Sequence, residues 1–119
     1  MEQTANEILQ LLESNLYVLE SEVLVREIKV TLSIESLNPT VGIKIWLEQT
    51  IDGPTYTYTL SHYFKTPTQA GAYVPGSRTH STEKATLQAA LSALTMHYPE
   101  AILKKHEPDE SWLIPNQYY

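Results

Sequence analysis

Residues 28–35 alternate without a fault: Ile28, Val30, Leu32 and Ile34 are apolar, and Lys29, Thr31, Ser33 and Glu35 between them are polar. Successive side chains of a strand point to opposite faces, so this run specifies a strand with one face in a core and the other in water. A helix cannot use the pattern, because a period of two scatters the apolar groups around a cylinder. A half-wet strand calls for antiparallel neighbours and for a cover on its apolar face only. Neighbours follow at once. Val41, Ile43, Ile45 and Leu47 alternate with Gly42, Lys44, Trp46 and Glu48, and Tyr56, Tyr58, Leu60, His62 and Phe64 alternate with Thr57, Thr59, Ser61 and Tyr63. Asn38-Pro39 and Asp52-Gly53-Pro54 stand between these runs and read as turns. Residues 28–34, 41–47 and 55–64 are therefore predicted to form a three-stranded antiparallel meander. Val23 and Val25 have the opposite parity, so an upstream extension of the first strand either contains a bulge or is a separate segment.

The cover comes from helices on either side. Thr4 and Glu7 have capping-box spacing, and Ile8, Leu9, Leu12 and Leu16 share a face. That helix either stops at Ser14-Asn15 or runs on through Tyr17-Val18-Leu19. A second helix is predicted from an N-cap at Ser81 or Thr82, with Glu83 in its first turn and Leu87, Leu91, Leu94 and Tyr98 on one stripe. Ala85, Ala89, Ala90 and Ala93 widen the stripe and permit close approach to a sheet. Pro99 ends this helix, kinks it or opens a short third one through Ala101-Ile102-Leu103. Residues 107–119 read as an extended tail. The expectation is one α+β domain over 1–119, in the order helix, three strands, helix, short C-terminal helix and tail.

This element order resembles that of double-stranded RNA-binding domains, and the resemblance implies an architecture. That family grips phosphates with a cluster of lysines at the start of its second helix. The corresponding segment here, Thr82-Glu83-Lys84-Ala85-Thr86, has one lysine beside an acid. No functional residue carries over.

Charge points the same way. Of the net charge of −6, residues 1–27 supply six acids against Arg26 alone, and 107–119 supply three acids and no base. Phosphate binding needs clustered Lys and Arg, so duplex nucleic acid is not an expected partner. There is no cysteine, which excludes a disulfide scaffold, a thiolate metal site and a Cys nucleophile. No apolar run approaches the ~18 residues of a membrane span, and the acidic N-terminus is unlike a signal peptide. A soluble, cytoplasmic chain is expected, with no membrane partner.

Catalytic patterns do not assemble. His62, His80, His97 and His106 include no helical i, i+3 or i+4 pair and no HExxH spacing, so no metal site is expected. His106, Glu107, Asp109 and Glu110 read as a solvated acidic tail. His80-Ser81-Thr82 resembles one of the two His-x-Ser/Thr motifs of the 2H phosphoesterases, and the second copy is absent. No Gly-x-Ser-x-Gly elbow exists. No cofactor is expected, and enzymatic activity is left open with the balance against it.

Two places remain where function could sit. Residues 71–82 deliver Tyr73, Arg78, His80, Ser81 and Thr82 to the start of the second helix, where free N–H groups and the helix dipole favour an anion. A small anionic or phosphorylated ligand would meet the Arg78 guanidinium there and could stack on Tyr73. The second place is aromatic. Trp46 lies on the wet face of its strand, with Trp112, Tyr118 and Tyr119 of the tail as material for covering it or for meeting another chain, including a second copy about a two-fold axis. The reading is a non-enzymatic binding or protein-interaction module. The alternatives are a small phosphate-ester hydrolase or transferase using His80 and Arg78, and a nucleic-acid-binding domain of the double-stranded-RNA type.

Overall fold

A computed structural model describes residues 4–35, 37–69 and 79–119. The element order is α1 (Ala5–Glu13), β1 (Glu22–Thr31), β2 (Thr40–Thr50), β3 (Gly53–Leu60), β4 (His62–Phe64), α2 (Glu83–Thr95), α3 (Tyr98–Leu103), a 3-10 turn (Glu110–Trp112) and β5 (Leu113–Pro115). The class is α+β, as the alternation requires. Strands β1, β2 and β3 form the antiparallel sheet in that order, and β4 and β5 form a separate two-stranded ribbon. Among the described residues, no helix is long and apolar enough to cross a membrane.

Strand β1 does extend upstream, and the register shifts between Leu24 and Arg26 to allow it. The irregularity restores parity. Val23 faces Leu47 across the ladder, and Ile28 faces Ile43, so both ends of β1 present apolar side chains to one side. The β2–β3 hairpin turns through Gly53 at φ 99°, which only a residue without a Cβ adopts without strain. The helix α2 is capped by Thr82, whose hydroxyl accepts the Ala85 N–H at 3.1 Å.

The main core joins Val41, Ile43, Ile45 and Leu60 of the sheet to Ala90, Ala93 and Leu94 of α2, with Tyr56, Tyr58, Leu87 and Leu91 half-buried around it. The contact stripe of α2 is therefore centred on its alanines rather than on Leu87 and Leu91. Small side chains bring the helix axis close to the sheet, and the leucines straddle the contact from the sides.

The predicted third strand, 55–64, is two elements. Its break at Ser61 has a visible cause. The Ser61 hydroxyl accepts the Gly42 N–H at 2.7 Å, and the Ser61 carbonyl accepts the Asn116 N–H at 2.8 Å. Asn116 Nδ2 also donates to the Leu60 carbonyl at 2.9 Å. The Ser61 N–H still donates to the Gly42 carbonyl at 2.9 Å, and beyond it the chain leaves β2 and pairs with the tail instead, His62 opposite Pro115 and Phe64 opposite Leu113.

This detour creates a second core. Ile34, Phe64, Ala101 and Trp112 are buried together, with the Phe64 and Trp112 rings edge to face at 6.2 Å between centroids and 79° between planes. Trp112 is therefore not the cover of Trp46. Tyr119 takes the outer face instead, against Gly42 and Lys44. The tail is not simply extended either, since the Asp109 carboxylate caps the 3-10 turn by accepting the Ser111 N–H at 2.8 Å.

Candidate functional site

Of the anion-site residues read from the sequence, Tyr73 and Arg78 lie outside the described residues. His80 forms a β-bridge with Tyr56, exchanging backbone hydrogen bonds of 2.8 and 2.9 Å. Its Nε2 atom is buried without a partner among the described residues. Ser81 and Thr82 are exposed, and the Thr82 hydroxyl is committed to its cap. Glu83 pairs with Arg26 of β1, which raises the Arg26 pKa above its ordinary value, chiefly through the hydrogen bond. The first turn of α2 thus holds a capping hydroxyl and a carboxylate already. Among the described residues, no group of three or more His, Asp or Glu side chains could hold a metal ion. His62 Nδ1 is satisfied by the Ser61 hydroxyl at 2.8 Å.

On the outer face of the sheet, the Trp46 indole N–H donates to the Thr59 hydroxyl at 3.1 Å, and the side chain is half-buried. Tyr119 lies beside it on the neighbouring row. Its hydroxyl donates to Glu27 at 3.1 Å, its ring sits 4.1 Å from the Lys44 ammonium, and its carbonyl accepts from Lys44 Nζ at 3.1 Å. Burial first, and the Glu27 hydrogen bond second, push the Tyr119 phenol up to about 12. Tyr118 is exposed. Of the aromatic interface residues, the structure brings Tyr119 to the sheet, sends Trp112 to the second core and leaves Tyr118 in water.

A third surface has no counterpart in the sequence analysis. Helix α1 ends where Ser14 and Asn15 turn their polar side chains on the backbone. The Ser14 hydroxyl donates to the Leu11 carbonyl at 2.8 Å, and the Asn15 side-chain carbonyl accepts the Tyr17 N–H at 2.9 Å. Both residues compete well with helical hydrogen bonding, which is why the helix stops here. The connection that follows throws its large side chains outward. Leu16, Tyr17 and Leu19 are 88%, 92% and 93% exposed, and Leu11 is 71% exposed on the last turns of α1. Ile51, at the tip of the β2–β3 hairpin, is fully exposed.

Beside them is a hollow of about 630 Å³, lined by Glu13, Leu19, Glu20, Ser21, Glu22, Glu48, Gln49 and Thr50. Four of these residues are glutamates. Glu22 and Glu48 are directly opposed across the β1–β2 ladder, an arrangement that destabilises a sheet. The Ser21 hydroxyl donates to Glu13 at 3.0 Å. Among the described residues no lysine or arginine lines the hollow.

Comparison with protein-family models, curated proteins and solved structures finds no match to this chain. The arrangement has to be read from its own chemistry.

Proposed function

We propose that this chain is a non-enzymatic protein-interaction module and that the corner between α1, β1 and the β2–β3 hairpin is its contact surface. The observation that carries the reading is the exposure of Leu16, Tyr17 and Leu19 in one short connection, with Leu11 preceding it. Single exposed apolar residues are ordinary, whereas a run of large ones marks a surface that is covered in use. Each such side chain, once buried, contributes roughly 1.5–3 kcal/mol, so three or four suffice to anchor a partner.

A photo-crosslinking residue placed at Tyr17 tests this in cells. Discrete adducts of fixed mass are expected from position 17, lost when Leu16 and Leu19 are both replaced by Ser, and absent from a control at Tyr63. Their absence from position 17, or turnover of a phosphomonoester or phosphodiester by the purified protein, overturns the reading.

A further inference from the structure

We infer that the partner at this corner is a cationic amphipathic polypeptide segment, one that offers apolar side chains to Leu16, Tyr17 and Leu19 and Lys or Arg side chains to the adjoining hollow. The inference rests on the interaction-module reading and adds the chemistry of what is bound.

The apolar ridge says that something docks; the hollow beside it says what charge that something carries. Glu13, Glu20, Glu22 and Glu48 converge on one depression, and among the described residues no cation lines it. Leu19 lines the same depression, so the connection that carries the exposed side chains borders the carboxylates. Ile51, fully exposed, follows the lining residue Thr50 in the chain. An occupant that covers Leu19 therefore lies beside these carboxylates.

Three occupants are chemically distinct, and charge separates them. A second copy of the chain, joined about a two-fold axis, would bring the same patch onto itself and set four glutamates against four. An anionic lipid surface meets the same repulsion. A segment with Lys or Arg beside its apolar residues removes it, and an Arg guanidinium can take a carboxylate through two donors. Charges arranged this way set partner choice and approach rate more than they set raw affinity.

The Glu22–Glu48 pair is an independent sign. Like charges directly opposed on neighbouring strands destabilise the isolated fold, and among the described residues neither glutamate is in a salt bridge. A cation lying over both offsets the repulsion. The free protein is thus less stable than it could be at the place where a cationic partner would gain most.

The test uses a fluorescein-labelled synthetic peptide of Leu and Lys with amphipathic spacing, its Leu/Glu counterpart, and the full chain. Fluorescence anisotropy is expected to give saturable one-to-one binding of the Leu/Lys peptide, weakening as salt rises, and none of the Leu/Glu peptide. Leu16→Ser with Leu19→Ser should weaken it about tenfold or more, as loss of central apolar anchors does. Glu22→Gln and Glu48→Gln should each weaken it about two- to fivefold, in the range of partly exposed ion pairs, and each should raise the melting temperature of the free protein. Glu107→Gln with Glu110→Gln, which removes acid from the tail, should change neither. All four substitutions at the corner are at exposed or half-exposed positions, and circular dichroism verifies the fold.

Equal binding of both peptides, still lost on Leu16→Ser with Leu19→Ser, overturns the charge assignment and keeps the contact surface. Binding that is indifferent to Leu16 and Leu19 overturns both. A concentration-dependent dimer abolished by the same double substitution, or binding to vesicles of anionic lipid, names a different occupant and also overturns the inference.

Discussion

The hydroxyl of Tyr119 donates a hydrogen bond to a carboxylate oxygen of Glu27 at 3.1 Å, joining positions 92 residues apart. The bond ties the tail to β1, an outer strand of the sheet, and the ring on the way lies against Gly42 and Lys44 of β2. It also places a phenol where ionising it is unfavourable. Burial and the neighbouring carboxylate raise its pKa from 10.0 to about 12. A group whose folded pKa is raised supports the fold fully below its unfolded pKa, and that support disappears as pH rises through the folded value. The window is therefore pH 10 to about 12. Urea midpoints of the wild-type chain should fall more steeply across that window than those of Tyr119→Phe, which has no proton to lose. Parallel profiles would show that the phenol is not held as described.

Gly42 is the seat of the Tyr119 ring. A Cβ built there would lie 2.5 Å from the hydroxyl oxygen and 3.0 Å from the ring carbon that bears it. The obstruction is the end of a flexible side chain, so Gly42→Ala should displace the ring and leave the sheet intact. The expected loss is about 1 kcal/mol, from the cation–π contact and the hydrogen bond together. In a Tyr119→Ala background the same substitution should be close to neutral. A double-mutant cycle by chemical denaturation measures the coupling.

The two cores respond to different substitutions. Ile43 and Leu94 are buried in the first core, and truncating either to Ala should cost about 2–5 kcal/mol. Leu91 is half-buried, so Leu91→Ala should fall below both. Trp112→Ala should cost about 3–5 kcal/mol by removing the partner of Phe64 and a wall of the second core. Equilibrium unfolding of the four variants orders them.

Ser61 holds the branch point. Its hydroxyl is the acceptor for the Gly42 N–H, a backbone donor with a strand on each side. Ser61→Ala strands that donor, and the expected destabilisation is about 1–3 kcal/mol. Amide hydrogen exchange at Gly42 should accelerate with it.

Alternation over residues 28–34 and 41–47, the Thr4 cap and the alanines of α2 were readable because each is a local pattern with one physical solution. The irregularity between Leu24 and Arg26 was readable as one of the two outcomes that a clash of parities allows. The break at Ser61 was not. The period of two runs through it unbroken, and the cause is a hydroxyl that replaces a ladder acceptor together with Asn116, a residue 55 positions away. The place of Trp112 in the second core was not readable for a related reason: its destination exists only after β4 has left the sheet. The corner was half legible. The excess of acid in residues 1–27 was plain, but Glu48 joins those acids only through the β1–β2 register, and Leu16 to Leu19 could equally have continued a helix.

The pairing of β4 with β5 has a consequence for how the chain is made. A ribosome delivers residues 60–64 some fifty residues before residues 113–116, which are their partners. The meander and α2 can close on themselves while synthesis continues, because every fully buried residue of that first core precedes residue 96. Ile34 and Phe64 cannot. Until Trp112 arrives they remain uncovered on a chain that is otherwise folded, which makes that interval the point at which a holding chaperone or a protease would find it.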